Sequence, residues 1–194
     1  MTALPPAFYF GAMSPYSWFT AERIGAVLPQ ARWRGVLAGG VFKAAGRESW
    51  GFTERRSEKM ADCEARAAAH GLGAITWPEP WPTSDLAIAR GMAFAERSGA
   101  LREFTLAAMR LAFREGVDLG EPEAVAEAAS RAGLDPVAAT ASLSDDAVKQ
   151  ALREATGAAI AAGVIGVPTV AVAGELFWGD DRLRDAAAAY GRTL

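Results

Sequence analysis

Ser14-Pro15-Tyr16-Ser17 puts a hydroxyl at the junction between a short aromatic run, Ala7 to Ala12, and a segment with helical spacing. Ser14 before Pro15 is the order of an N-cap and a first helical residue, because proline lacks the N–H that would be orphaned there. A helix start presents free N–H groups and the positive end of the helix dipole, so it stabilises a thiolate. A serine hydroxyl at that point can donate a hydrogen bond to the sulfur and keep it ionised as a nucleophile at neutral pH. The chain has one cysteine, Cys63, far along the sequence from this helix, so the sulfur would have to be borrowed. The tetrapeptide alone also fits a serine that only caps a helix.

Two more stretches could contribute. Gly166-Val167-Pro168-Thr169 stands just ahead of an apolar run, where proline is either an ordinary strand boundary or part of a site. Gly179-Asp180-Asp181 offers carboxylates and free N–H groups at another helix start, as caps or as contacts to a charged ligand. Cys63 and the lone His70 form no cluster with zinc-site spacing, so no metal is expected, and one cysteine allows no internal disulfide.

Composition bounds what these residues can serve. A chain of 194 residues with 51% hydrophobic content can bury a sizeable core. A formal charge of −3 without a run of Lys and Arg argues against nucleic acid as a partner. The opening MTALPPAFYFGAM lacks the basic and cleavage features of a secretory leader, which predicts a cytoplasmic protein. The most apolar run, Ala158 to Gly174, is broken by Gly163, Gly166 and Pro168, so no membrane span is expected.

The elements that must position the hydroxyl follow from periodicity. Ala7 to Ala12 predicts a strand, Pro15 to about Leu28 a helix ended by Pro29, and Ala31 to Leu37 a second strand. Tyr16, Phe19, Ile24 and Val27 or Leu28 fall near one face of that helix. Six helices are predicted next, at about Thr53 to His70, Ser84 to Ser98, Ala100 to Glu115, Pro122 to Ala132, Pro136 to Ser142 and Asp145 to Ala162. Ser84, Asp135 and Ser144 are expected N-caps, and Gly71, Gly99, Gly133 and Gly163 left-handed C-caps. Trp77-Pro-Glu-Pro-Trp-Pro82 must be a stiff loop. Val167 to Val172 and Glu175 to Trp178, separated by Ala173-Gly174, predict a hairpin before a last helix to about Tyr190. This order is α/β, the layout of a thioredoxin-like fold with a large all-helical insertion: 1–45 and 163–194 as a discontinuous domain, 46–162 as the insertion. In that fold Pro168 is a cis-proline beside the first helix, and the Val167 backbone can pair with an extended peptide.

Four segments carry a resemblance: Ser-Pro-Tyr-Ser at 14–17, Gly40-Val41-Phe42-Lys43-Ala44, Gly166-Val167-Pro168-Thr169, and Glu175 through Leu183. In this order around a helical block, the chain resembles 2-hydroxychromene-2-carboxylate isomerases and kappa-class glutathione transferases, which share a DsbA-like thioredoxin fold. The resemblance implies glutathione, or another low-molecular-weight thiol, as cofactor. It implies that Ser14 activates the thiol and that Val167, Trp178, Gly179, Asp180 and Asp181 bind it, the carboxylates suiting the γ-glutamyl group. It also implies that Lys43 contacts an acidic substrate. Trp81, with Trp50 and Trp77, is expected to suit an aromatic substrate.

The chain departs from the family at Gly46-Arg47-Glu48-Ser49-Trp50-Gly51 and at Thr83-Ser84-Asp85, both on the substrate side. Thiol chemistry therefore carries over better than substrate identity. The first expectation is a glutathione-dependent isomerase acting on an aromatic or enone-type carboxylate. A kappa-like glutathione transferase and a non-catalytic thiol- or peptide-binding protein remain the alternatives. The expected partner is a small-molecule substrate, with a homodimer left open. Disulfide exchange ranks last, since serine at position 14 supplies no sulfur.

Overall fold

The computed structural model describes residues 4–193; residues 1–3 of the stretch read for a leader, and residue 194, lie outside the described residues. Strand β1 (Ala7–Phe10) buries Phe8 and Phe10 and leaves Ala7 and Tyr9 half-buried, the period of two seen in the sequence. It leads into α1 (Pro15–Val27), then β2 (Arg32–Gly35), which pairs parallel to β1. The sheet is completed by β3 (Thr169–Val172) and β4 (Glu175–Trp178), giving the order β2-β1-β3-β4 with β3 antiparallel to both its neighbours. Ala173 and Gly174, both at positive φ, turn β3 into β4.

Helix α2 (Ala38–Ala44) follows β2 directly. Its Gly39-Gly40 pair has poor helix propensity, so nothing in the sequence signalled it. Leu37 and Ala38 are instead held from outside, by hydrogen bonds from their N–H groups to Thr156 Oγ1 and Asp85 Oδ2. A short 3₁₀ turn at Trp50–Phe52 precedes α3 (Arg56–Ala69). The helical block continues with α4 (Leu86–Arg97), α5 (Leu101–Glu115), α6 (Pro122–Arg131), α7 (Pro136–Ser142) and α8 (Asp146–Ala161). The chain closes with a 3₁₀ turn at Asp180–Arg182 and α9 (Leu183–Gly191).

Gly71, Gly99, Gly133 and Gly163 all take the left-handed conformation expected after helix ends. Asp135 caps α7 as expected. Ser144 does not cap α8: Asp145 does, accepting from Ala147 N–H, while the Ser144 hydroxyl donates back to Ala141. At α4 the cap position is Asp85 rather than Ser84, and its carboxylate is drawn away to Ala38 N–H.

One buried cluster runs through sheet and helical block alike, joining Phe8 and Phe10 to Trp18 and Phe19 of α1 and to Phe104 and Phe113 of α5. Trp18 stacks on Phe113 with ring centroids 5.5 Å apart, and its indole N–H donates to Glu22. Glu22 also accepts two bonds from Arg110 of α5, at 2.8 and 2.7 Å. Helix α1 is thus clamped between layers, which fixes its N-terminus. None of the described helices is long and apolar enough to cross a membrane.

Candidate active site

Ser14 holds an extended conformation at the head of α1, and its Oγ accepts from Ser17 N–H at 3.2 Å. Capping uses the oxygen as an acceptor and leaves the hydroxyl proton available to another partner. Ser14 opens on a cleft of about 480 Å³ between α1, α2, α3 and the end of β4. Ser17, the second serine of the tetrapeptide, is fully buried, does not line the cleft, and its hydroxyl has no partner among the described residues.

Val167 and Pro168 form another wall, and the bond between them is cis. The Pro168 carbonyl accepts from Gly179 N–H at 3.0 Å, which ties this wall to the end of β4. The Val167 N–H and C=O make no backbone hydrogen bond to another described residue. Gly166 is required by packing: a Cβ there would lie 2.6 Å from Trp178 Nε1. Ser14, Val167, Pro168, Trp178, Gly179, Asp180 and Asp181 all reach the same cleft.

Asp180 does not have the free carboxylate expected of a ligand contact. It is 2% exposed, and its oxygens meet Arg66 at 2.9 Å, His70 at 3.4 Å and Arg23 at 3.7 Å. A carboxylate taken out of water needs such compensation, so Asp180 fastens the turn after β4 to α1 and α3. Asp181 remains exposed, with its carboxylate folded back over Gly179.

Lys43 lies outside the cleft. It is exposed on α2, whose Gly39 and Phe42, three residues apart, face the cavity instead. One residue further along a helix turns a side chain about 100° away. The cations that do line the cleft are Arg47, Arg55, Lys59 and Arg66. Arg55 and Arg66 are paired with Glu58 and with Asp62 and Asp180. No carboxylate among the described residues reaches Arg47 or Lys59. The α3 set had a sequence signal: positions 55, 59, 62 and 66 recur at helical spacing on one face.

Tyr16, Phe42, Trp50, Phe52 and Trp81 add aromatic rings to the wall. Trp50 and Trp77 pack against Trp81 at centroid distances of 4.9 and 4.8 Å. The Trp81 carbonyl accepts from both Nε and Nη2 of Arg56, at 3.1 and 2.9 Å. The Trp81 indole N–H is buried without an acceptor among the described residues. Tyr16 donates to Asp62 at 3.0 Å, and burial, reinforced by Cys63 and Asp62, pushes its phenol far above the usual range. Cys63 is sealed beneath it, with burial raising its thiol to about 12. Asp85, also on the cleft wall, is raised by burial while the Ala38 and Gly39 N–H groups act against the shift.

A family model for the DSBA-like thioredoxin domain matches residues 7–191. The chain belongs to this family. This DSBA-like chain is 28% identical over 190 residues to 2-hydroxychromene-2-carboxylate isomerase from Sphingobium xenophagum, covering 91% of this chain and 92% of the relative. The solved structure of an HCCA isomerase superposes with a TM-score of 0.83 at 23% identity, covering 97% of this chain and 95% of that one. A probable DsbA oxidoreductase from Streptomyces coelicolor superposes with a TM-score of 0.73 at 18% identity, covering 96% and 89%. The DSBA-like fold is therefore shared by proteins named for quite different chemistry, and the residues of the cleft must decide between them.

Proposed function

We propose that this chain is a glutathione-dependent isomerase of an aromatic or enone-type carboxylate, with Ser14 activating the thiol. The carrying observation is the Ser14 hydroxyl, which donates to no other described residue, at a helix N-terminus that opens on a cleft also lined by Val167, whose backbone pairs with no other described residue. The likeness to a 2-hydroxychromene-2-carboxylate isomerase supports the reaction class. Bound glutathione would supply the nucleophilic sulfur that the chain lacks at this point.

The cleft residues divide the work. Val167 offers a backbone donor and acceptor to an extended peptide, while Trp178, Gly179 and Asp181 flank it. Asp180 acts as a positioning residue through its ion pairs. Trp50 and Trp81 give a flat substrate an apolar wall, and the Trp81 N–H is a donor without an acceptor. Cys63 takes no part: a buried thiol raised to about 12 holds almost no thiolate at neutral pH. A kappa-like transferase would use the same residues, and product analysis separates the two, since an isomerase returns its thiol unchanged.

Ser14→Ala tests the proposal. Loss of one charge-assisted hydrogen bond, worth about 1.5–3 kcal/mol, is expected to slow turnover by roughly ten- to a hundredfold and to raise the pKa of the bound thiol. Thiolate absorbance is measured against pH for wild type and variant, both saturated with glutathione. Superimposable titrations would remove Ser14 from the mechanism. A cost of about 1 kcal/mol in stability with unchanged turnover would leave it a helix cap alone.

A further inference from the structure

Arg47 belongs to the loop after α2, and its guanidinium carbon lies 4.4 Å from the centroid of the Trp178 ring. The stack orders a long side chain at the cleft wall without neutralising it. Among the described residues no carboxylate reaches Arg47, whereas the neighbouring cleft arginines Arg55 and Arg66 are both paired. The ring beneath it is fixed as well, since the Trp178 indole packs against Gly166 so closely that no side chain fits there. The result is a stacked guanidinium without a carboxylate partner among the described residues, lining the same cleft as Val167, whose backbone pairs with no other described residue. Asp181, folded over Gly179, adds a carboxylate to the lining of the same cleft.

We propose that Arg47 is the carboxylate anchor of the thiol ligand, so that the cleft selects a peptide thiol with a free carboxylate over a neutral thiol. The inference rests on the thiol-dependent reading above. Its physical basis is that a planar guanidinium matches a carboxylate with two parallel N–H donors, and that pre-ordering on the indole lowers the entropy lost on binding. An arginine that merely covers Trp178 would make no distinction between a charged and an uncharged ligand.

Calorimetric titration of the full chain with S-methylglutathione and with its diethyl ester separates these cases. Wild type is expected to bind the free acid more tightly than the ester. Arg47→Met is expected to weaken binding of the acid on the order of ten- to a hundredfold, the range of one charge-assisted hydrogen bond, and to leave the ester nearly unaffected. Arg47→Lys, which keeps the charge and loses the planar fork, should fall between. Unchanged melting of both variants establishes that the fold is intact. Wild-type affinity in Arg47→Met, or equal weakening of acid and ester, overturns the inference while the thiol-dependent reading stands. Absence of any S-methylglutathione binding by wild type overturns both.

Discussion

Lys43 and Lys59 carry the same charge, yet only Lys59 borders the cleft, half-buried on α3 and without a carboxylate partner among the described residues. If the substrate bears a carboxylate, Lys59→Met is expected to lower kcat/KM for it by about 1–3 kcal/mol of transition-state binding, with thiol affinity little changed. Lys43→Met is expected to alter neither quantity. Steady-state kinetics of both variants with the same carboxylate substrate make the comparison. A larger effect at Lys43 than at Lys59 would contradict the arrangement of α2. The contrast rests on which way each helix turns its side chains, not on residue type.

Asp85 joins two elements. From the cap position of α4 its carboxylate reaches the N-terminus of α2, which brings Gly39 and Phe42 to the cleft. Burial raises its pKa above the ordinary 3.8, so the folded chain binds this proton at a higher pH than the unfolded chain. The sign follows: the contribution of Asp85 to stability is greatest when it is protonated and declines as pH rises from the ordinary value through the raised one. Asp85→Asn keeps an oxygen for Ala38 N–H and cannot ionise. Its stability relative to wild type is expected to increase with pH across that window, then level off. Melting curves of both proteins from about pH 4 to 7 give the comparison. A difference independent of pH would mean that the carboxyl titrates as an ordinary aspartate.

Phe113 stands where the two parts of the molecule meet, against Trp18 of α1 and Trp77 of the proline-rich loop, at centroid distances of 5.5 and 6.0 Å. Since a single buried cluster spans the sheet and the helical block, both are expected to unfold together. Phe113→Ala should destabilise the whole chain by about 3–5 kcal/mol and shift tryptophan fluorescence and far-UV circular dichroism by the same amount in urea. Separate transitions for the two signals would show that the helical block is an independent unit.

Much of this architecture was legible because it is written in local chemistry. Pro15 after Ser14 marked the start of α1, Ala173-Gly174 marked the β3–β4 turn, and glycine punctuation marked four helix ends. The candidate site was legible where it coincides with such signals, at Ser14, Val167-Pro168 and the end of β4. Helix α2 was not, because Gly39-Gly40 disfavours a helix locally and its start is held by Asp85 and Thr156, both distant in sequence. Lys43 entered through the resemblance, and with α2 unrecognised no periodicity could show that it faces away from the cleft. Nor could sequence distinguish Asp180 from Asp181. Both follow Gly179, but only Asp180 is enclosed by Arg23, Arg66 and His70, while Asp181 stays exposed. Local chemistry determined where most helices and strands lie, α2 excepted, and which hydroxyl stands at the head of α1. The tertiary structure alone decided which charges are neutralised and which, such as Arg47, face the cleft without a partner, because ion pairs and burial depend on segments far apart in the chain.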